Sequence, residues 1–458
     1  MSGFSTYYHA GTHGHLVGIG GVSMAPLAEV LQGAGLEITG SDFSESENVR
    51  RLRSLGIEIF KGHHAENLGP QVEFLVRTAA VHDENIEIMT ARERGIPVFE
   101  RAEAWGEIMK DYKNAICISG THGKTTTTSM CTHIMMAAEK DPTVMIGGTL
   151  PLLKAGHRVG QGDSIILESC EYYDSFLSFF PTVAVVLNIE ADHLDYFKDL
   201  ADVEKSFRAF AEKVPADGLV VLNADDANSM TTMAGLERNV ITFGLDNPAD
   251  VTARNIRFDG EGSTFELVYK GESYGEMSLN IPGVHNVRNA LAAAAATVSL
   301  GCDAEALREG FEAFHGADRR FEFKGRFRGA DVFDDYAHHP GELKALLDAV
   351  EKLPYKRSIV VFQPHTYSRT SALFDDFVEQ LRRADVCLLS EIYAAREVNT
   401  IGISSADLAA QIPDSRFFAD NQELEKTLMD MAQEGDLILT VGAGDVYRIG
   451  EHILAAKE

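Results

Sequence analysis

Residues 117–130, CISGTHGKTTTTSM, decide how the chain is read. The apolar run at residues 115–118 predicts a strand, the glycines after it a tight loop, and the stretch from about Thr126 through Ala138 a helix. In that setting the backbone amides of Gly120, Thr121, His122, Gly123, Lys124 and Thr125 can wrap a phosphate. Lys124 can reach the terminal phosphates, the Thr125 hydroxyl can ligate Mg²⁺, and the helix opening at Thr126 adds its positive end. The spacing is GxxGKT, two residues short of the usual GxxxxGK[ST]. Pattern alone therefore also admits a glycine turn feeding a threonine-capped helix.

A Mg-nucleotide site needs hard oxygen ligands nearby. The next strand, residues 164–167, runs into ESCEYYDSF, which carries Glu168 and Glu171. The strand at 183–188 runs into IEADHLDYF, which carries Asp192 and His193. Carboxylates and a histidine at the ends of neighbouring parallel strands converge on the edge that holds the loop, and together they favour Mg-ATP over a bare helix cap.

Upstream, HLVGIGGVSMAPLAEVLQGAGLEITGSD reads as strand 15–19, glycine turn, helix 25–32 and strand 36–39, ending at Asp42. Further β-like pieces at 57–60, 74–76 and 97–99 complete a mononucleotide-binding half of Rossmann type. Its GxGxxS turn on Gly18, Gly20 and Ser23, with Asp42 at ribose-reading distance, makes a nicotinamide or flavin site a rival reading. Two separate phosphate loops in one chain favour two nucleotide-like ligands instead. Downstream, strands at 358–362, 386–389 and 437–441 end in QPHTYSRT, SEIYAAREV and GAGDV, and such loops at the carboxyl ends of parallel strands are where ligands bind. An alternating stretch at 263–278 predicts an antiparallel piece attached to the central block. The blocks divide at 1–110, 111–320 and 321–458, and the fold class is α/β throughout.

The chain has 458 residues, beyond what one hydrophobic core serves. Its net charge of -28, from 41 basic and 69 acidic residues, repels polyanions, which argues against a nucleic-acid partner. Five cysteines without a CxxC pair point to a reducing cytoplasm and away from a zinc knuckle. The longest apolar run, about residues 290–300, is too short to span a bilayer, so no membrane association is expected. The N-terminal HAGTHGH, with His9, His13 and His15, reads as a tail into the first strand, because no acidic or thiol partner lies beside it in sequence.

The ordered set GTHGKTTTT, ESCEYYDSF, NIEADHLDYF, HNVRNALAAAAA, DRRFEFKG, DDYAHHP and FQPHTYSRT resembles the Mur ligases of peptidoglycan synthesis, whose ATP loop has this short spacing. The resemblance spans essentially the whole chain and is closest to the branch that adds L-alanine. It implies a Rossmann-like UDP-binding domain, a central P-loop-type ATPase domain and a C-terminal Rossmann-like α/β domain that brings the amino acid. The implied reaction joins the lactyl carboxylate of UDP-N-acetylmuramate to L-alanine through an acyl phosphate, with ATP and Mg²⁺. The branch that attaches a whole tripeptide for recycling is the alternative. Oligomeric state stays open between monomer and weak dimer.

Carried over by motif, Lys124 would stabilise the transferring phosphoryl group. Thr125 and Glu171 would hold one Mg²⁺ and His193 a second, with Glu168 behind them. Asn286, Asn289 and Arg320, preferred to Arg319, would contact the nucleotide. Gly18, Gly20, Gly21, Ser41 and Asp42 would hold the UDP-sugar, and Tyr336, His338 and Arg369 the incoming amino acid and sugar-nucleotide carboxyl. His338 and His339, adjacent on an extended segment, point opposite ways, so no paired-His metal site is expected. Departures from the family pattern are Cys170 before the key glutamate, Thr366 where relatives often have arginine, and Arg77 and Thr78 near the UDP contacts. Arg208, fifteen residues past His193, stands where other branches use a carbamylated lysine, so no carbamate is expected.

Overall fold

The structure is a computed structural model that describes residues 3–78, 81–194, 196–258, 262–395 and 397–456. Its described strands form three sheets, each built largely from short aliphatic runs buried on both faces, as parallel sheets covered by helices require.

In the first sheet His13–Val17 lies centrally, flanked by Glu37–Asp42 and Glu58–Lys61 on one side and by Phe74–Arg77 and Val98–Glu100 on the other, all parallel. The turn after Val17 feeds the helix Met24–Gly33. His15 lies in the first strand as expected, and His13, read as part of the tail, begins that strand. His15 is fully buried, with Nδ1 2.9 Å from the Thr39 hydroxyl and Nε2 3.7 Å from Glu87. Glu87, distant in sequence, is the acidic partner that local reading could not supply.

The second sheet has ten strands. Its centre is parallel, running Asn239–Phe243, Leu219–Asn223, Val183–Val186, Asn114–Ser119, Ser164–Glu168 and Thr143–Leu150. The expected antiparallel piece is the pair Ser263–Tyr269 and Glu272–Leu279 at one edge. Helices Lys124–Ala137 and Val284–Val298 pack together on this sheet. The fully buried alanines 290 and 292–296 let the second helix approach closely, so the apolar run is core.

The third sheet runs Glu322–Phe327, Ala330–Asp335, Asp436–Val441, Arg357–Phe362, Val386–Ser390 and Ser415–Phe418, parallel except for its first pair. Its carboxyl-end loops face the phosphate loop of the second sheet. Among the described residues, no helix is long and apolar enough to cross a membrane.

Candidate active site

The loop after Ser119 is clamped to the end of the neighbouring strand. The amides of Thr121 and His122 donate to Asn188 O (3.1 Å) and Oδ1 (2.7 Å), and Asn188 Nδ2 donates back to His122 O (3.1 Å). The helix begins at Lys124, two residues before the expected Thr126. Gly123, at φ +84°, is required twice over: the conformation is left-handed, and a Cβ there would sit 2.6 Å from Asn289 Oδ1. Lys124 Nζ donates to the carbonyls of Gly120 and Thr121 and to Glu171 Oε2 (3.2 Å). Burial disfavours its charge, but Glu171 and Glu168 more than offset this and hold the ammonium above the usual lysine range.

Glu171, Asp192 and His193 place ligand-type atoms within 4.8 Å of one another. His193 adopts φ +53°, an uncommon conformation for a residue with a side chain, and its ring stacks on Tyr172 at 4.3 Å. Burial pushes the imidazole below its ordinary range despite Asp192 and Glu171, so it is neutral and can offer a lone pair. Thr125 is oriented by the other carboxylate, its hydroxyl donating to Glu168 Oε1 at 3.0 Å while Gly147 N donates to Oε2 at 2.7 Å. Cys170 contributes no anion, because burial and the charge of Glu171 push its thiol up to about 11.

Between the second and third sheets a cleft is lined by His122, Thr126, Asn286, Asn289, Arg320 and Glu342 among others. Asn286 Nδ2 is turned to the Pro282 carbonyl (2.6 Å), while its Oδ1 accepts from Asn289 Nδ2 (3.2 Å). Asn286 therefore anchors Asn289 against the loop. The two arginines separate: Arg319 is engaged by Asp334 (2.8 Å) and Gly442 O (2.7 Å), whereas Arg320 faces the cleft, 3.6 Å from Glu342.

A second cleft is lined by Tyr172, Asp192, His193, His365, Ser368 and Arg369 among others. Arg369 Nε and an Nη donate to Asp192 Oδ1 (3.1 and 2.9 Å), joining the third sheet's loops to the metal-type cluster. Burial would raise the Asp192 carboxyl, but the Arg369 guanidinium holds it far below its ordinary value. His338 and His339 part as expected. His338 Nδ1 donates to Tyr336 O (2.9 Å), and burial pushes the ring down to about 4, which leaves Nε2 a neutral acceptor. His339 caps the helix Pro340–Val350, with Nδ1 accepting from Gly341 N (3.2 Å) and its ring 4.7 Å from His122. Asp335 accepts from the amides of Phe321 and Ala337 (both 2.8 Å), a bracing role.

In the first sheet, Gly20 N donates to Asp42 Oδ2 (2.9 Å) while Asp42 Oδ1 accepts from Ser44, so Asp42 holds the glycine turn. Ser41 is fully buried and its hydroxyl donates to Glu87 (2.6 Å), so its side chain braces the sheet. Arg77, a departure in the sequence, is taken up by Glu100 and Asp83 (both 2.7 Å). Arg208 bonds Glu212 (2.8 Å) and the carbonyls of Thr232 and Ala234. The NIEADHLDYF motif includes Asp195, which lies outside the described residues.

Sequence reading missed three residues. Glu342 and Glu190 flank His122, at 3.7 and 3.2 Å, and the only local trace of Glu342 is its place in a helix-capping box. Arg101 donates to the Ser23 hydroxyl at the start of the helix Met24–Gly33, and Trp105 Nε1 donates to Ser23 O (3.4 Å). Among the described residues no carboxylate lies within 4.0 Å of Arg101.

A phosphate loop, a carboxylate and histidine cluster beside its lysine, and a third domain that closes on both define a nucleotide-using ligase of modular α/β build. The chain belongs to the Mur ligase family: models described as "Mur ligase family, catalytic domain", "Mur ligase middle domain" and "Mur ligase, glutamate ligase domain" match residues 13–113, 118–297 and 319–444. Within it, the chain is 46% identical to a UDP-N-acetylmuramate--L-alanine ligase of Clostridium novyi over 97% of each chain. It is also 46% identical to the ligase of the same name from Caldanaerobacter subterraneus over 96% of each. Among solved structures, a UDP-N-acetylmuramate-alanine ligase from Thermotoga maritima superposes with a TM-score of 0.80 at 29% identity, covering 97% of this chain and 98% of that one.

Proposed function

We propose that the chain joins the lactyl carboxylate of UDP-N-acetylmuramate to the amino group of L-alanine at the expense of ATP, in peptidoglycan precursor synthesis. Residues 1–110 hold the sugar nucleotide, 111–320 the ATP, and 321–458 the amino acid. The observation that carries this reading is the Asp192–Arg369 contact, which brings the third domain's anion-binding guanidinium up against the phosphoryl-transfer cluster.

A carboxylate is a poor electrophile, so it must first be phosphorylated. The loop amides and Lys124 hold the terminal phosphates, and the buried ammonium takes up charge that develops on the transferring phosphoryl group. Glu171 and His193, which with Asp192 place ligand atoms within 4.8 Å of one another, and the Thr125 hydroxyl oriented by Glu168, fit Mg²⁺ as oxygen donors and a neutral imidazole. Bound there, the ion would neutralise charge on the β- and γ-phosphates. Asn289 and Arg320 orient the nucleotide in the cleft. Alanine arrives as an ammonium and must lose a proton before it attacks the acyl phosphate, and the His338 Nε2 lone pair is a neutral acceptor on that side. Arg369 exchanges Asp192 for the alanine carboxylate, which its guanidinium fork can bind in two places.

The test follows phosphate release and product mass with ATP, Mg²⁺ and UDP-N-acetylmuramate, adding each amino acid or the tripeptide singly. Alanine-dependent release is expected. Release indifferent to either acceptor substrate overturns the ligase reading, and faster turnover with tripeptide moves the chain to the recycling branch.

On the sugar-nucleotide side, a guanidinium without a carboxylate at a helix N-terminus is placed against the helix dipole and calls for an anion such as the diphosphate. Arg101→Ala is expected to weaken UDP binding by about tenfold or more in calorimetry, in line with loss of a charge-assisted contact. Unchanged UDP affinity would assign Arg101 to holding Ser23 alone.

His122 sets a pH dependence. Burial alone would lower its pKa, but Glu190 and Glu342 raise it to about 9. A raised histidine contributes stability that is complete below its unfolded value, near 6.5, and lost as pH climbs through about 9. The melting temperature should fall by several degrees across that window and fall less in His122→Gln. Parallel curves for the two proteins would refute this.

A further inference from the structure

We infer that Glu342 is a positioning residue through which the third domain sets the geometry of the ATP site, an inference that rests on the ligase reading above. Its two carboxylate oxygens face different ways. Oε1 lies 3.7 Å from His122 Nδ1, on the phosphate loop, and 3.6 Å from Arg320 in the nucleotide cleft. Oε2 accepts from the amides of His338 (2.9 Å) and His339 (3.3 Å) and lies 3.3 Å from His338 Nδ1. One mostly buried side chain thus ties the loop that holds phosphate to the segment that presents His338.

The neighbouring residue shows that this junction is tight. A Cβ on Gly341 would lie 2.9 Å from His122 Nε2 and 3.0 Å from Glu190 Oε2, although Gly341 has no left-handed backbone to account for the glycine. Glycine is there because the loop histidine and the helix start pack against each other.

The ordinary explanation of Glu342 is its capping box with His339 at the start of Pro340–Val350. A capping box needs an acceptor at that position, and glutamine serves as well as glutamate. Burying a carboxylate is costly unless cations meet it, and here His122 and Arg320, both groups of the ATP site, do so. The charge therefore serves the site, and the cap alone does not explain it. When the third domain docks, Glu342 fixes His122 and Arg320 where the nucleotide meets them, so ATP affinity depends on docking.

The experiment compares wild type with Glu342→Gln, which keeps the cap and removes the charge. The expected result is an ATP Kd raised by about tenfold or more in calorimetry, a coupling of ordinary size for linked sites. UDP-N-acetylmuramate affinity should stay near wild type, while the melting temperature falls because His122 and Arg320 lose a counter-charge. The double variant Glu342→Gln/His122→Gln should bind ATP no more weakly than Glu342→Gln alone, because both changes break one contact. Wild-type ATP affinity in Glu342→Gln, or additive losses in the double variant, would overturn the inference. So would equal weakening of ATP and UDP-N-acetylmuramate binding. ATP binding is read without turnover, so failure of alanine-dependent phosphate release in wild type would count against the ligase reading and not against Glu342.

Discussion

Lys124→Ala lowers turnover by about 10³-fold or more, the scale on which phosphoryl-transfer cations act, while UDP-N-acetylmuramate still binds in calorimetry. The separation follows from the architecture. Lys124 opens the helix Lys124–Ala137 on the second sheet, whereas the glycine turn belongs to the first sheet. Lys124→Arg should rescue little: it restores charge, but a planar fork does not fit among the Gly120 and Thr121 carbonyls and Glu171 as a compact ammonium does. Joint loss of turnover and sugar-nucleotide binding, with the fold intact by circular dichroism, would contradict the division of labour between the domains.

Arg369→Ala is expected to cut kcat/KM for L-alanine by about 100-fold or more, the cost of losing a bidentate charge pair to the substrate carboxylate. It should also destabilise the protein by about 3–5 kcal/mol, because Asp192 is left buried with its guanidinium partner gone. The two effects can be parted. Arg369→Ala/Asp192→Asn should recover much of the stability, since no uncompensated carboxylate remains, and none of the activity toward alanine. Recovery of activity in the double variant would show that Arg369 serves only to neutralise Asp192.

Much of the fold was legible because it is written in local pattern. Apolar runs bounded by glycine and polar residues placed the central strands within a few residues of where they lie. GTHGKTTTT, ESCEYYDSF and IEADHL put Lys124, Glu171 and His193 at strand ends, and the parallel order of Asn114–Ser119, Ser164–Glu168 and Val183–Val186 brings them to one edge. The alternation at 263–278 gave its antiparallel pairing for the same reason, since side-chain period follows strand geometry.

Pairings between distant residues were not legible, because a side chain's partner depends on how the sheets dock. Ser41 beside Asp42 looks like a ligand contact in the sequence, but the fold turns its hydroxyl onto Glu87. Arg319 and Arg320 are equivalent as a dipeptide. Only the tertiary structure gives one to Asp334 and leaves the other in the nucleotide cleft. By itself the sequence determined the three α/β blocks, the glycine loop between strand and helix, and the carboxylates and histidine at neighbouring strand ends, because these depend on backbone turns and strand ends a few residues apart. The tertiary structure alone decided that Arg369 meets Asp192 and that Glu342 meets His122, because burial makes each charge seek a counter-charge and only docking determines which one is within reach.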